Sequence, residues 1–133
     1  MRYMLDTNIC IYAIKHNPVE VFERLKEHDP EEICISSITY GELVHGVEKS
    51  KAVYKNRIAL TLFLANIEIL KFDIEAAQKY GEVRAQLEKT GKAIGPLDML
   101  IAAHANSSGC TLVTNNIKEF ERVEGLNLEN WVK

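Results

Sequence analysis

The chain contains only four aspartates, Asp6, Asp29, Asp73 and Asp98, and two of them adjoin its most apolar stretches. Asp6 ends the run Tyr3-Met4-Leu5, and Asp98 opens Met99-Leu100-Ile101-Ala102-Ala103 just after Pro96-Leu97. A carboxylate beside the core must be hydrogen-bonded, paired or bound to a cation, because desolvating it alone costs several kcal/mol. Glu42 sits beside Gly41 on a stripe with Ile38 and Leu43, and Glu119 follows Asn116 by three residues. Each has an ordinary alternative: Asp6, Asp98 and Asn116 as first-turn or capping residues, Glu42 and Glu119 as solvated helix positions. If the chain brings Asp6, Glu42, Asp98 and either Asn116 or Glu119 to one point, three or four oxygen ligands surround it. Carboxylate-only sets of that kind suit hard cations, Mg²⁺ or Mn²⁺, which keep several waters and take phosphate oxygens as further ligands. Zinc is disfavoured, since His16, His28, His45 and His104 show no paired ligand spacing. His104, on the same apolar segment as Asp98, reads as a packed core histidine.

The elements needed to position these groups can be read along the chain. Tyr3-Met4-Leu5 is a short strand, and Ile9, Ile11, Tyr12 and Ile14 continue at helical spacing behind Asp6-Thr7-Asn8. Asn17-Pro18 predicts an N-cap with proline at the first helical position, and Val19, Phe22 and Leu25 give a second helix that stops near His28-Asp29-Pro30, where Asp29 is a turn residue. Ile33-Cys34-Ile35 is a second strand, capped by Ser36-Ser37 before a helix through Ile38, Leu43, Val44 and Val47. Residues 51–65 predict its hairpin partner, and Ile67-Glu68-Ile69-Leu70 a third strand. Asp73 predicts the N-cap of a long helix, Gly95-Pro96 the start of a central one, and Thr111-Leu112-Val113-Thr114 a fourth strand. A short helix through Phe120, capped by Asn116, and an edge strand within Leu126 to Trp131 close the chain. Short apolar strands alternating with helices predict an α/β domain over residues 1–133, with a mostly parallel sheet of four to five strands covered on both faces. Working groups in such sheets gather at the carboxyl ends of the strands, where Asp6, Ser36-Ser37 and Thr114-Asn115-Asn116 fall.

Composition bounds the function. The 133 residues, 47% hydrophobic and 26% charged, suffice for one core and exclude disorder. Sixteen basic and 19 acidic residues leave a net charge of −3, which argues against a passive nucleic-acid binder but not against a metal enzyme with a local basic strip. Lys49, Lys51, Lys55 and Arg57, with Arg84, Lys89 and Lys92 leading toward Asp98, are the candidates for that strip. The 3 cysteines, Cys10, Cys34 and Cys110, lie in apolar stretches away from any C-x-x-C spacing, which predicts buried free thiols and a cytoplasmic protein. Neither a membrane-length apolar run nor a signal-peptide core is present in this sequence.

Four phrases, Met4-Leu5-Asp6-Thr7-Asn8, Ser36-Ser37-Ile38-Thr39-Tyr40-Gly41-Glu42-Leu43, Ile94-Gly95-Pro96-Leu97-Asp98-Met99-Leu100-Ile101-Ala102 and Val113-Thr114-Asn115-Asn116 through Glu119-Phe120, occur in the order of the PIN domain. Over essentially its full length the sequence resembles the VapC toxins of bacterial toxin–antitoxin pairs. Asn8-Ile9-Cys10-Ile11 and Leu128-Glu129-Asn130-Trp131 make it most similar to the enteric-type subgroup. The resemblance implies a Mg²⁺- or Mn²⁺-dependent endoribonuclease with catalytic acids at Asp6, Glu42 and Asp98, metal held by Asp6 and Asp98, and substrate-orienting roles for Thr7, Asn8, Thr114 and Asn116. Many PIN domains carry a fourth aspartate after the last strand's threonine. Here Asn116 stands in that region, so either Glu119 supplies the fourth acid or Asn116 orients a water. The resemblance further implies a VapB-type antitoxin partner, a toxin homodimer, operator DNA reached only through the antitoxin, and an RNA substrate, with initiator tRNA cut in its anticodon loop as the enteric example. Tyr40, Val44, Val47, Tyr54 and Leu62 exceed what one sheet face needs, and are candidates for burial in the dimer or under the antitoxin.

Other strand-end carboxylate proteins fit less well. A receiver domain needs an acidic pair after its first strand, and a haloacid-type phosphatase needs Asp-x-Asp; Thr7-Asn8 follows Asp6 here. No G-x-G-x-x-G or Walker A sequence exists for a nucleotide fold. A PIN-like module that binds RNA or a partner without cutting is the alternative of a different class.

Overall fold

The computed structural model describes residues 1–133. Strand β1 (Tyr3–Leu5) runs into Asp6, whose carboxylate accepts the Ile9 N–H at 2.9 Å and so caps α1 (Thr7–Lys15). His16 ends α1 in the left-handed region with φ of 54°. Pro18 takes the N-cap position of α2 (Val19–Lys26), one residue earlier than the sequence pattern predicts. The pyrrolidine therefore stands just outside the helix with extended backbone, and no side chain caps α2. A single 3₁₀ turn (Pro30–Glu32) leads into β2 (Ile33–Ser36). The Ser36 hydroxyl accepts the Ile38 N–H at 3.0 Å and caps α3 (Ser37–Glu48), which turns back as α4 (Val53–Leu64). Then follow β3 (Glu68–Leu70), α5 (Ile74–Lys89), α6 (Pro96–Ser107), β4 (Thr111–Val113), α7 (Ile117–Phe120) and β5 (Leu128–Glu129). Asp73 caps α5 through its bond from the Ala76 N–H at 2.9 Å.

The five strands form one all-parallel sheet in the order β3-β2-β1-β4-β5. Tyr3 pairs with Ile33 on one side and Thr111 on the other, which puts β1 at the centre. Alternate side chains of the inner strands point to opposite faces. Met4, Cys34 and Leu112 join the layer under α5 and α6 with Leu87, Ile101 and Phe120, whereas Leu5, Ile35 and Val113 join the layer with Ile9, Leu43, Leu60 and Trp131. That two-sided burial is why these strands read as unbroken apolar runs. Edge strand β3 differs, with Glu68 and Ile69 exposed. All three cysteines are buried free thiols, with Cys34 and Cys110 facing each other across β1 at 3.8 Å between sulfurs. No helix is long and apolar enough to cross a membrane.

Candidate active site

The parallel sheet sends β1, β2 and β4 out at one edge, and each next helix starts there with a polar residue. Asp6 is only 5% exposed, held by its cap to Ile9 and by the hydroxyl of buried Thr114 at the end of β4. Both bonds favour the carboxylate, but burial outweighs them and, with the nearby charge of Glu42, raises the Asp6 pKa above its ordinary value. Asp6 thus fills both of its sequence readings, the cap and the core-edge acid. Glu42 projects from the second turn of α3, half-buried, and accepts the Thr7 hydroxyl at 2.6 Å; Thr7 Oγ1 also lies 3.5 Å from Oγ1 of buried Thr39.

Asp98 stands in the first turn of α6, where Pro96 occupies the first helical position and Asp98 makes no capping bond. Its carboxyl is pushed up to about 6, first by burial and then by the charges of Glu119, Asp6 and Glu42. The charges of all three other acids thus reach Asp98 and tie the four into one site. Glu119 approaches from α7: its Oε1 accepts the Gly95 N–H at 3.0 Å and its Oε2 the Asn116 side-chain amide at 2.6 Å. These two bonds, the backbone one first, hold the Glu119 pKa below its ordinary value. A Cβ on Gly95 would touch both Asp98 Oδ2 and Glu119 Oε1, so the glycine lies between the two carboxylates.

Of the alternatives at the fourth position, Glu119 is the acid that faces Asp98. Asn116 fixes its direction instead of capping α7 with its side chain. Thr114 accepts the Asn116 N–H at 2.9 Å and so links β4 to this corner. Asn8 is exposed, and its amide bonds no protein group in the cluster. His104 is buried beneath the site, with Nδ1 2.8 Å from Ser36 Oγ and Phe72 edge-on at 5.4 Å, and burial lowers its pKa. Sequence reasoning passed over Thr39 and the Gly95 N–H; a polar residue on the inward face of α3 and the Gly-Pro start of α6 were the available signals. Of the basic strip, Lys49 reaches an open groove of about 570 Å³ that it lines with Thr7, Glu42, His45 and Leu97. Arg57 is paired with Glu48 and Arg84 with Glu88.

None of the six ion pairs in the molecule includes Asp6, Glu42, Asp98 or Glu119. Four acids crowded without an ion-pair partner form a donor set for a hard divalent cation. No three of them converge at chelating distance, so a cation here would draw one or two oxygens from the chain and keep its waters, as Mg²⁺ does. The PIN domain family matches residues 3–126. The chain belongs to that family. It is also 45% identical to the tRNA(fMet)-specific endonuclease VapC of Shigella flexneri over 98% of each chain, and 48% identical to ribonuclease VapC2 of Rickettsia felis over the full length of both. The VapBC2 crystal structure from Rickettsia felis, bound to a promoter DNA fragment, contains a chain that superposes with a TM-score of 0.93 at 46% identity, covering 99% of this chain and 100% of that one. The DNA-bound VapBC structure from Salmonella typhimurium matches as well, with a TM-score of 0.93 at 43% identity and 99% coverage of both chains. Within the PIN domains this chain is a member of the VapC ribonuclease family.

Proposed function

We propose that this chain is the toxin of a toxin–antitoxin pair, an endoribonuclease dependent on Mg²⁺ or Mn²⁺ that stops translation by cutting initiator tRNA in its anticodon loop. The observation that carries the proposal is the crowding of Asp6, Glu42, Asp98 and Glu119 at one sheet edge with no ion-pair partner. Likeness to the tRNA(fMet)-specific endonuclease VapC of Shigella flexneri supplies the choice of RNA. Asp6 and Asp98 hold the cation, directly or through water. When bound, the cation lowers the pKa of a water ligand and offsets the negative charge that builds on the phosphate being cleaved.

The chain's own residues do the positioning. Thr7 fixes the carboxylate of Glu42 so that it accepts a proton from, or orients, the attacking water. Asn116 and the Gly95 N–H fix Glu119 opposite Asp98, and Thr114 holds Asp6. Asn8, exposed at the rim, faces the substrate. In the cell the site is covered by a VapB-type antitoxin, through which the pair reaches operator DNA, as the VapBC complexes with promoter DNA suggest by analogy. Tyr54, Ile58 and Leu62 form one exposed stripe along α4, with Tyr40 exposed on α3. That apolar surface suits the homodimer and the antitoxin contact.

The test is cleavage of initiator tRNA by antitoxin-free protein in Mg²⁺, Mn²⁺ or EDTA, beside Asp6→Asn. We expect one metal-dependent cut in the anticodon loop, absent in the variant. Folded protein that leaves the tRNA intact with every metal, or an Asp6→Asn variant that cuts normally, would overturn the proposal.

A further inference from the structure

A second charged feature adjoins the acids and has the opposite sign. Gly91 and Lys92, in the turn between α5 and α6, face Lys118, Glu121 and Arg122 of α7 and the turn behind it across a pocket of about 690 Å³ with no apolar side chain in its wall. Lys118 lies on α7 and Arg122 two residues beyond its end, and both line this pocket. Arg122 donates from Nη1 to the Ala93 carbonyl at 3.1 Å, while one turn away Glu119 accepts the Gly95 N–H. The same two segments are thus stitched twice, with an acid turned toward Asp98 at one end and three cations turned outward at the other. Neither Lys92 nor Lys118 takes part in an ion pair, unlike Arg57 and Arg84. Glu121 is the single acid in the wall.

We infer that the Lys92–Lys118–Arg122 pocket seats a backbone phosphate of the RNA strand beyond the scissile bond. The inference rests on the ribonuclease reading. A polyanion approaching four carboxylates on a chain of net charge −3 needs local cations to hold it, and these three stand at the edge of that cluster. A protein partner would anchor on an apolar side chain, and none lines this pocket. A phosphate needs only donors and positive charge. Arg122 is anchored by its bond to Ala93 and sets the geometry, and the two lysines supply mobile point charges.

The experiment measures kcat and KM for cleavage of an RNA anticodon stem-loop, across a salt series, by wild type, Lys92→Gln/Lys118→Gln and Lys15→Gln/Lys26→Gln. The last pair removes the same charge from exposed positions at the ends of α1 and α2. We expect KM to rise roughly tenfold at low salt in the Lys92/Lys118 variant with kcat within about twofold, and the salt dependence to fall by about 0.7 per lost contact. The Lys15/Lys26 variant should match wild type. Equal changes in both variants, or no change in either, overturn the inference while leaving the nuclease intact. Lys92/Lys118 variants that cut normally but no longer hold a VapB-type antitoxin would also overturn it. A wild-type protein that neither cuts nor binds this RNA fails the ribonuclease reading itself.

Discussion

Two corners of the sheet hold carboxylates in opposite ways. At the β5 edge, Glu129 accepts both Arg24 and the Trp131 indole N–H, the latter at 2.8 Å. Trp131 is 2% exposed, with the Arg24 guanidinium 5.4 Å above its ring and His28 stacked on it at 5.3 Å. Two strands away, Asp6, Glu42, Asp98 and Glu119 lack any ion-pair partner, and burial together with the charge of the neighbouring acids raises the proton affinity of Asp6 and Asp98. One corner satisfies its charge within the chain and contributes stability. The other leaves charge without an ion-pair partner, which costs stability and, on the function proposed above, would serve a cation and a polyanion. The difference teaches where this fold tolerates repulsion: only where strand ends open to solvent and a ligand.

The comparison breaks hardest if the acids prove dispensable. Asp98→Asn and Asp6→Asn should each lower the rate of RNA cleavage on the order of 10³-fold, since on the proposed function each removes a charge that would hold the cation. Single-turnover rates with saturating Mn²⁺ measure this, and a loss below tenfold would remove the residue from the machinery. The opposite corner should answer in stability instead. Trp131→Ala vacates a large buried ring and strands the Glu129 bond, so it should cost about 3–5 kcal/mol by urea denaturation, with the metal-dependent chemistry of the folded fraction unchanged.

Much of this contrast was legible in the sequence, and unequally. Strand β1, β2 and β4 assignments followed from apolar runs that alternate between two buried faces, and Asp6, Glu42 and Asp98 stood out because each is a carboxylate beside apolar sequence. Glu119 was harder to see, because a Glu in Lys118-Glu119-Phe120-Glu121 looks solvated until Asn116 and the Gly95 N–H, from a distant turn, fix it. Pro18 misled by one residue, since the pattern that places proline at the first helical position also suits the residue just before the helix. The pairing of Glu129 with Arg24 lies 105 residues apart in sequence and has no local signal at all. Arg57 and Arg84 looked like free RNA contacts because their Glu partners, Glu48 and Glu88, are ordinary surface residues until the helices form.

The cost of repulsion is itself measurable. Asp98 has its pKa raised to about 6, so the folded chain binds a proton there more tightly than the unfolded chain does. Its ionised form therefore weakens the fold, fully above pH 6, and the penalty fades as pH falls toward the ordinary carboxylate range. Asp98→Asn should accordingly be more stable than wild type in EDTA at pH 7 by about 1–2 kcal/mol, the shift being discounted for its partial exposure to solvent. That advantage should vanish by about pH 4. His104, lowered by burial and facing Ser36 and Phe72, occurs in both proteins and largely drops out of the difference between two melting series, whereas the repulsion of Asp98 by Glu119, Asp6 and Glu42 is part of the difference being read. An advantage that grows on acidification would contradict the repulsion account.

The finest distinction lies between neighbours on α1. Thr7 donates to Glu42 at 2.6 Å, whereas the adjacent Asn8 is exposed and bonds none of the acids. Thr7→Val keeps the shape and deletes the hydroxyl, leaving Glu42 without its nearest donor, a loss of about 1 kcal/mol or five- to tenfold in kcat. Because the defect is in aiming the carboxylate, KM for RNA and the affinity for Mn²⁺ should stay near wild type. Asn8→Ala should act through substrate contact alone, raising KM about twofold or less with kcat unchanged. If the two variants lose kcat equally, Thr7 contributes no more than a general rim effect, and Glu42 takes its direction from the packing of α3 against α1 and not from this hydrogen bond.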